Sequence, residues 1–460
     1  MTTSFEALLP GTERALLHRV AVAQAEGRAP SLVGAVVRDG TMVWNGARSC
    51  VDGHAPDAET QFRIGSITKV FTAVLVMRLR DEGLLRLDDP LERHLKGTRV
   101  GEVTIGQLLG HSGGLAAETP GQWWERSSAG LRPELADVLG EHPFLQAPGR
   151  RHHYSNPGYT LLGSLVEELR ERSWEESLRH EVLEPLGMDR TTVESVAPHA
   201  GGWAVHPWAD VMLPEPSEHL GLMAPAGQLW STAADLARFA AFLSVGDERV
   251  LDADSVAEMR APASAPGEGD WEGGYGLGLQ LLRRDGRTLV GHTGSLPGFV
   301  ACLWVDVEDD LAGIVLSNTT SGLPVGAVAA DLVRIVADAE PRFPEPWRPL
   351  PEAEVDKELL SLTGPWYWGT YAYVLRLGPG RGVLLEPLRG TGRRARFREL
   401  PEGGWVGLNG YYEGERLRVV RRADGSVSHL DLGSFVFTRE PYDPGDAVPG
   451  GVDEAGWRGL

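Results

Sequence analysis

The chain has 460 residues, longer than one ordinary domain, and its 42% hydrophobic content is enough for a sizeable core. A formal net charge of -20 and a pI of about 5.1 repel phosphate backbones and exclude nucleic acid as a natural partner. Two cysteines, Cys50 and Cys302, are too few for a disulfide framework, and no apolar run is long enough to span a membrane.

The opening residues Met1 to Glu6 carry an acid where a secretion signal carries base, and no apolar signal core follows, so a cytoplasmic protein is expected. Glu6 to Ala25 reads as an amphipathic helix, with Leu8, Leu9, Ala15, Leu16, Val20 and Ala21 on its apolar side. Ser31 to Val37 and Thr41 to Gly46 read as strands joined by the hairpin signal Asp39-Gly40. Helical patterns dominate from Ser66 to about Leu243. Strand patterns return at Gly274 to Leu282, Thr288 to His292, Val300 to Val305 and Ala312 to Ser317, and Ala327 to Ala339 closes the series as a helix. Terminal helices and strands around a helical middle predict an α+β domain over 1–340: an antiparallel sheet flanked by helices beside a helical lobe. Prolines at 341, 344, 346, 349 and 351 then mark a linker over 341–360. Beyond it, short β-rich runs separated by glycine turns (Trp366 to Leu377, Gly382 to Pro387, Arg394 to Glu399, Trp405 to Tyr412, Arg416 to Arg422, Val427 to Phe437) predict a small antiparallel barrel or sandwich over 361–445. A tail, 446–460, follows.

Charge is divided unevenly. Residues 361–440 hold 12 Arg against 8 Asp plus Glu, about +4, which leaves about −24 for the remainder. Arginines at period two (Arg394, Arg396, Arg398) read first as a solvated strand face; presentation of cations to a carboxylate is the alternative.

Only three lysines occur, Lys69, Lys96 and Lys357. Lys69 closes the segment Phe62-Arg63-Ile64-Gly65-Ser66-Ile67-Thr68-Lys69, three residues after a serine. Arginine keeps its proton in a protein, whereas a desolvated lysine can lose it and act as a base. Residues three apart on a helix share a face, which is the pairing that a lysine-activated serine nucleophile needs. Ile67, Val70, Phe71, Val74, Leu75, Met77 and Leu79 place Lys69 in the first turn of a mostly buried helix. Two further clusters lie downstream: His153-Tyr154-Ser155-Asn156-Pro157-Gly158-Tyr159 and Gly291-His292-Thr293-Gly294-Ser295-Leu296-Pro297-Gly298-Phe299. Taken singly, the first is equally a turn with a packed ring and the second a strand ending in glycine. His142, His152 and His153 lack the spacing of a metal motif, so no metal and no cofactor is expected.

In this order and at this spacing the three segments resemble the serine β-lactamase and penicillin-binding protein superfamily, with its Ser-x-x-Lys, Ser/Tyr-x-Asn and Lys/His-Thr-Gly elements. Leu87 to Leu91, Thr104 to Leu115 and Pro225 to Asp235 add similarity to the class C β-lactamase and D-amino-acid peptidase branch, over roughly residues 10–340. The resemblance implies Ser66 as nucleophile, Lys69 as its base and Tyr154 as proton shuttle, the last with its pKa lowered by cations at Lys69 and His292. It implies that Asn156 binds a substrate amide, that Thr293 and Gly294 line the substrate strand, and that the N–H groups of Ser66 and of Ser295, on an edge strand, form an oxyanion hole. His292 departs from the lysine usual in β-lactamases, a permanent cation for the antibiotic carboxylate, and so weakens a drug-resistance role. The C-terminal barrel resembles the lipocalin-like domains that accompany D-peptidases and the stand-alone penicillin-binding-protein-type thioesterases of nonribosomal peptide synthesis. The implied partner is a peptide or acyl substrate, presented on a carrier protein in the thioesterase case. A carboxylesterase or lactam hydrolase is the alternative; a non-enzymatic binding protein would not need Lys69 and Tyr154 together. Trp203, Trp208, Met212, Leu222 and Met223 are candidates for an acyl pocket, and Arg439 for gripping a substrate carboxylate.

Overall fold

The computed structural model describes residues 7–447, apart from 122, 128–133, 265–272, 345, 353, 354 and 356. Most of the expected C-terminal tail and the start of the first helix at Glu6 lie outside the described residues. The chain forms two compact units, Met1–Phe343 and Pro344–Leu460.

The first unit centres on a seven-stranded antiparallel sheet: β1 (Ser31–Arg38), β2 (Thr41–Ser49), β3 (Gly273–Tyr275), β4 (Gln280–Arg284), β5 (Arg287–Leu296), β6 (Phe299–Asp306) and β7 (Leu311–Ser317). The spatial order is β2-β1-β7-β6-β5-β4-β3. The Asp39-Gly40 signal makes its hairpin, both residues at positive φ (50° and 70°), as a tight two-strand turn requires. The expected single strand Gly274 to Leu282 is instead the hairpin β3–β4. Gly278 (φ 86°) turns it, and a Cβ there would lie 2.2 Å from that of Ala73.

Strands buried on both faces, such as β6 and β7, carry near-continuous apolar runs because helices cover the sheet on each side. On one face α1 (Pro10–Glu26) and α5 (Val325–Ala339) pack together over Leu32, Val36, Cys302 and Val315. On the other lie α4 (Ala233–Val245) and the helical lobe with α2 (Thr68–Asp81) and α3 (Asn156–Arg170). In α2 every residue from Thr68 to Met77 is buried, which makes it the axis of the lobe rather than a surface helix.

The second unit is an all-β barrel of eight strands: β8 (Gly364–Trp368), β9 (Tyr371–Leu377), β10 (Val383–Pro387), β11 (Ala395–Glu399), β12 (Trp405–Gly407), β13 (Arg416–Arg421), β14 (Val427–Leu432) and β15 (Phe435–Phe437). Neighbours in sequence are neighbours in space. The first and last strands nearly close it through Tyr367 and Thr438, whose backbones exchange two hydrogen bonds (2.7 and 2.9 Å). Closure removes the unpaired edges that an open sheet leaves. Two of the six expected runs are hairpins, since Gly369 and Gly433 (φ 63° each) turn the chain inside them. Helix α6 (Lys357–Leu362), which begins inside the stretch expected as linker, adds Leu359 and Leu362 to a core of Trp366, Tyr373, Phe397, Tyr412 and Phe437. Among the described residues no helix is long and apolar enough to cross a membrane.

Candidate active site

Ser66 lies in a single 3-10 turn, Gly65–Ile67, that leads directly into α2. Gly65 adopts φ 50°, the left-handed value that lets the chain swing from the short strand Phe62–Arg63 into the helix. Lys69, one turn on, is fully buried. Its Nζ donates to Ser66 Oγ at 3.1 Å and to the Ala226 carbonyl at 2.7 Å. Burial pushes the ammonium down to about 7, against the opposing pull of Glu118 and Glu125. A lysine poised near neutrality beside a serine hydroxyl is equipped to take its proton.

Strand β5 faces this turn backbone to backbone. A Cβ on Gly294 would lie 1.9 Å from the Ile64 carbonyl oxygen and 3.0 Å from Ser66 N, and one on Gly65 would lie 2.6 Å from Ser295 N. Only glycine at both positions lets the N–H groups of Ser66 and Ser295 approach one another. The expectation of an edge strand needs correction, because β5 is third from the sheet's edge. Its backbone pairing with β4 stops at Gln280–Gly291, however, so residues 292–296 form no ladder with β4, and this end of the strand borders the Gly65–Ile67 turn instead. The turn at Pro297-Gly298 pairs Leu296 with Phe299, which by antiparallel alternation points the Ser295 N–H away from β6. Thr293 is anchored by Gln280, whose Oε1 accepts from its N–H (3.0 Å) and its hydroxyl (3.1 Å).

Ser155 caps α3, accepting from Gly158 N at 3.1 Å and donating to Ala116 O at 2.7 Å. This cap sets Tyr154 and Asn156 on either side of the helix start. Tyr154 hydrogen-bonds Ser66, and Lys69 Nζ lies 4.9 Å from its ring centre. The expectation that cations lower the Tyr154 pKa is reversed. Burial pushes the phenol up, and its bond to Ser66 offsets this only in part. His292 supplies no cation either. Burial, and then the charge of Lys69, push it down to about 3. Its Nδ1 donates to the Thr293 carbonyl, so Nε2 accepts, at 3.0 Å, from the hydroxyl of Tyr275. The imidazole is therefore neutral, buried and locked, 6.1 Å from the Tyr154 ring.

Several residues at the site were not picked out from sequence. His111, buried at φ 54°, accepts the Ser155 N–H on Nδ1 (3.1 Å) and packs 4.2 Å from the Tyr154 ring. Tyr159 donates to Leu109 O at 2.9 Å and packs 5.1 Å from the His111 ring. Glu118 accepts from Asn156 Nδ2 (2.8 Å) and from Trp124 Nε1 (2.8 Å). His111 lies inside one of the runs quoted for the resemblance; Glu118 carries no local signal at all.

Of the expected acyl-pocket residues, Leu222 and Met223 join Leu220, Val138, Trp124 and Leu296, next in chain to Ser295, in one apolar cluster. Trp208 does not, being 90% exposed. Arg439 also needs correction: its guanidinium is spent inside the barrel. It donates to the carbonyls of Thr363, Pro365 and Ser361 and stacks 4.0 Å from the centre of Trp366. Among the described residues no group of three or more metal-ligating side chains occurs.

Solved structures share this fold. The octameric penicillin-binding protein homologue from Pyrococcus abyssi aligns with 92% of this chain and 99% of its own (TM-score 0.63, 24% identity). SurE aligns with 94% and 99% (TM-score 0.57, 23% identity). The D-amino acid amidase from Ochrobactrum anthropi SV3, solved with D-phenylalanine, aligns with 72% and 100% (TM-score 0.63, 22% identity). Among curated proteins, penicillin-binding protein 4 of Amycolatopsis lactamdurans is 31% identical over 320 residues, 65% of this chain and 82% of that one. The chain spans only about half the length of several other curated relatives (47% to 55%). Residues 355–439 match a domain of unknown function, DUF7586. Residues 16–338 match the Beta-lactamase family, well over half of the sequence, and the chain belongs to that family.

Proposed function

We propose that the protein is a serine acyl-transfer enzyme acting on peptide substrates with a D-residue through an acyl ester on Ser66. It works either as a D-stereospecific peptidase or as a stand-alone thioesterase that releases or cyclises its peptide. The observation that carries this reading is the buried Lys69, 3.1 Å from Ser66 Oγ and shifted to about 7. Neutral Lys69 takes the hydroxyl proton as Oγ attacks the carbonyl carbon, and the oxyanion is held by the N–H groups of Ser66 and Ser295. Tyr154, a phenol rather than a phenolate, gives its proton to the leaving group while receiving one from Lys69, so no phenolate has to accumulate. The reverse relay then activates water or an amine to cleave the acyl ester.

The D-residue preference is supported by structural neighbours described as a D-amino acid amidase with D-phenylalanine, a D-stereospecific amidohydrolase from Streptomyces and SurE with D-Leu. The neutral, buried His292 speaks against the lactam-hydrolase alternative, whose substrate carries a carboxylate. Treatment with a fluorophosphonate followed by peptide mapping is expected to give one adduct, at Ser66; an adduct at Ser112 or Ser155 would sink the assignment. Paired D- and L-aminoacyl thioesters then separate the alternatives. A clear D preference is expected, whereas equal use of both, with faster turnover of simple acetate esters, favours a carboxylesterase.

A further inference from the structure

We propose that the C-terminal barrel carries a binding site of its own, a cavity with an arginine at its mouth that takes a small organic carboxylate. The site is built from the second unit alone and does not depend on the acyl-transfer reading. The cavity, about 380 Å³, lies where α6 meets the end of the barrel at which β9–β10, β11–β12 and β13–β14 turn. That volume is in the range of small-molecule sites. The barrel interior is filled instead by its own core, among it Trp366, Leu385, Phe397, Leu417 and Phe437. Every residue lining the cavity falls within 355–439, the stretch that matches a domain of unknown function.

Leu359, Leu362, Trp405 and Val419 give the cavity an apolar floor. The Trp405 indole spends its one donor on the Arg381 carbonyl, at 2.9 Å, so its ring offers only apolar surface. Around this floor stand three arginines and two glutamates, which leaves one positive charge over. The pairs are already made. Arg381 grips Glu399 through Nε (2.6 Å) and Nη2 (3.1 Å), and Arg421 Nη2 holds Glu358 at 2.6 Å. Arg418 is the exposed cation that remains. Across the β13–β14 pairing it stands opposite Asp431, where a cross-strand ion pair would be natural. It makes neither that pair nor any hydrogen bond among the described residues, and lines the cavity instead. A guanidinium fork beside an apolar floor, with both neighbouring carboxylates neutralised, lacks only an acceptor for two parallel N–H bonds. A carboxylate is that acceptor, and a carboxylate on a short apolar body fills mouth and floor together. An amine would meet Arg418 and two acids that are already engaged.

Calorimetric titration of the full-length protein with 3-phenylpropionate, 3-phenylpropan-1-ol and 3-phenylpropylamine presents one body with an anion, a neutral hydroxyl and a cation, and needs no turnover. The carboxylate is expected to bind at least about 10-fold more tightly than the alcohol, the scale of a charge-assisted hydrogen bond, with the amine poorest. Arg418→Gln, a change on an exposed side chain, should remove that advantage. Arg418→Lys should keep part of it, since a point charge lacks the fork. Arg396→Gln removes an exposed arginine that does not line the cavity, and it should leave binding unchanged. Carboxylate binding that survives Arg418→Gln belongs to some other part of the protein and overturns the proposal. So do equal affinities for carboxylate and alcohol, which would make the cavity merely apolar, and equal losses in Arg418→Gln and Arg396→Gln, which would make the effect one of diffuse surface charge. A wild type that binds no carboxylate overturns it outright.

Discussion

Lys69 concentrates the chemistry of the site in one proton. In the proposed mechanism Lys69 is a base that works only when neutral, so acylation should rise with pH through an apparent pKa near its value of about 7, followed as kcat/KM or as the rate of fluorophosphonate labelling. Lys69→Arg keeps the charge but cannot give up the proton, and it should lose about 10²–10⁴-fold, nearly as much as Lys69→Ala. A variant within a few-fold of wild type would remove Lys69 as the base. Stability carries the same signature with a definite sign. Because the folded-state pKa lies below the unfolded one, wild type pays for a buried charge fully below pH 7 and progressively less up to the unfolded value of about 10. The stability of Lys69→Met relative to wild type should therefore be greatest below pH 7 and shrink as pH rises, as chemical denaturation at several pH values would show; a constant difference contradicts a lysine shifted by burial. That Ser66, Lys69 and Tyr154 come together was legible in the sequence because each motif is local. Glu118 and Tyr275 were not, since their bonds to Asn156 and His292 span 38 and 17 residues and leave no periodic trace. The direction of the Tyr154 shift was misjudged for a related reason: charge counts along a chain say nothing about desolvation.

At the level of elements, the strand β5 and the turn Gly65–Ile67 act as one part, because their backbones touch with no side chain between them. Gly294→Ala would put a methyl carbon 1.9 Å from the Ile64 carbonyl oxygen, so strand and turn would have to separate. Acylation should fall by at least about 100-fold, the scale of a lost oxyanion donor. Thermal unfolding is expected at a lower temperature as well, and a variant with normal acylation would show that this contact does not shape the site. The strands themselves were legible from alternation and turn residues. What escaped was the splitting of β-rich runs at Gly278, Gly369 and Gly433, where a positive φ reverses the chain within a stretch that is otherwise β-rich on both sides. Likewise β5 was placed at an edge because sequence gives strand content, not strand order.

For the molecule as a whole, the two cores share no residue. Those of the first unit end at Ala337, and that of the second runs from Leu359 to Phe437. Each unit is therefore expected to unfold on its own. Calorimetry of the full chain should resolve two transitions, and a fragment ending at Phe343 should reproduce one of them and still be labelled at Ser66. A single transition shared by both units, or an unfolded fragment, would show that the stability of the first depends on the second. The run of prolines from 341 to 351 announced a boundary in the sequence because proline-rich chain cannot pair into either sheet. The excess of arginine beyond it announced less. Arg439 is consumed by carbonyls of its own barrel, and a net charge does not say which of its members is free.

The close approach of the two backbones has an evolutionary reading. Ser295 is exposed, and in the proposed mechanism it serves through its main-chain N–H, which makes its identity invisible to the reaction. A saturation library at the two neighbouring codons should then give opposite profiles under selection for acylation. Position 294 should admit glycine alone, while position 295 should admit every residue except proline, the one that has no N–H to offer.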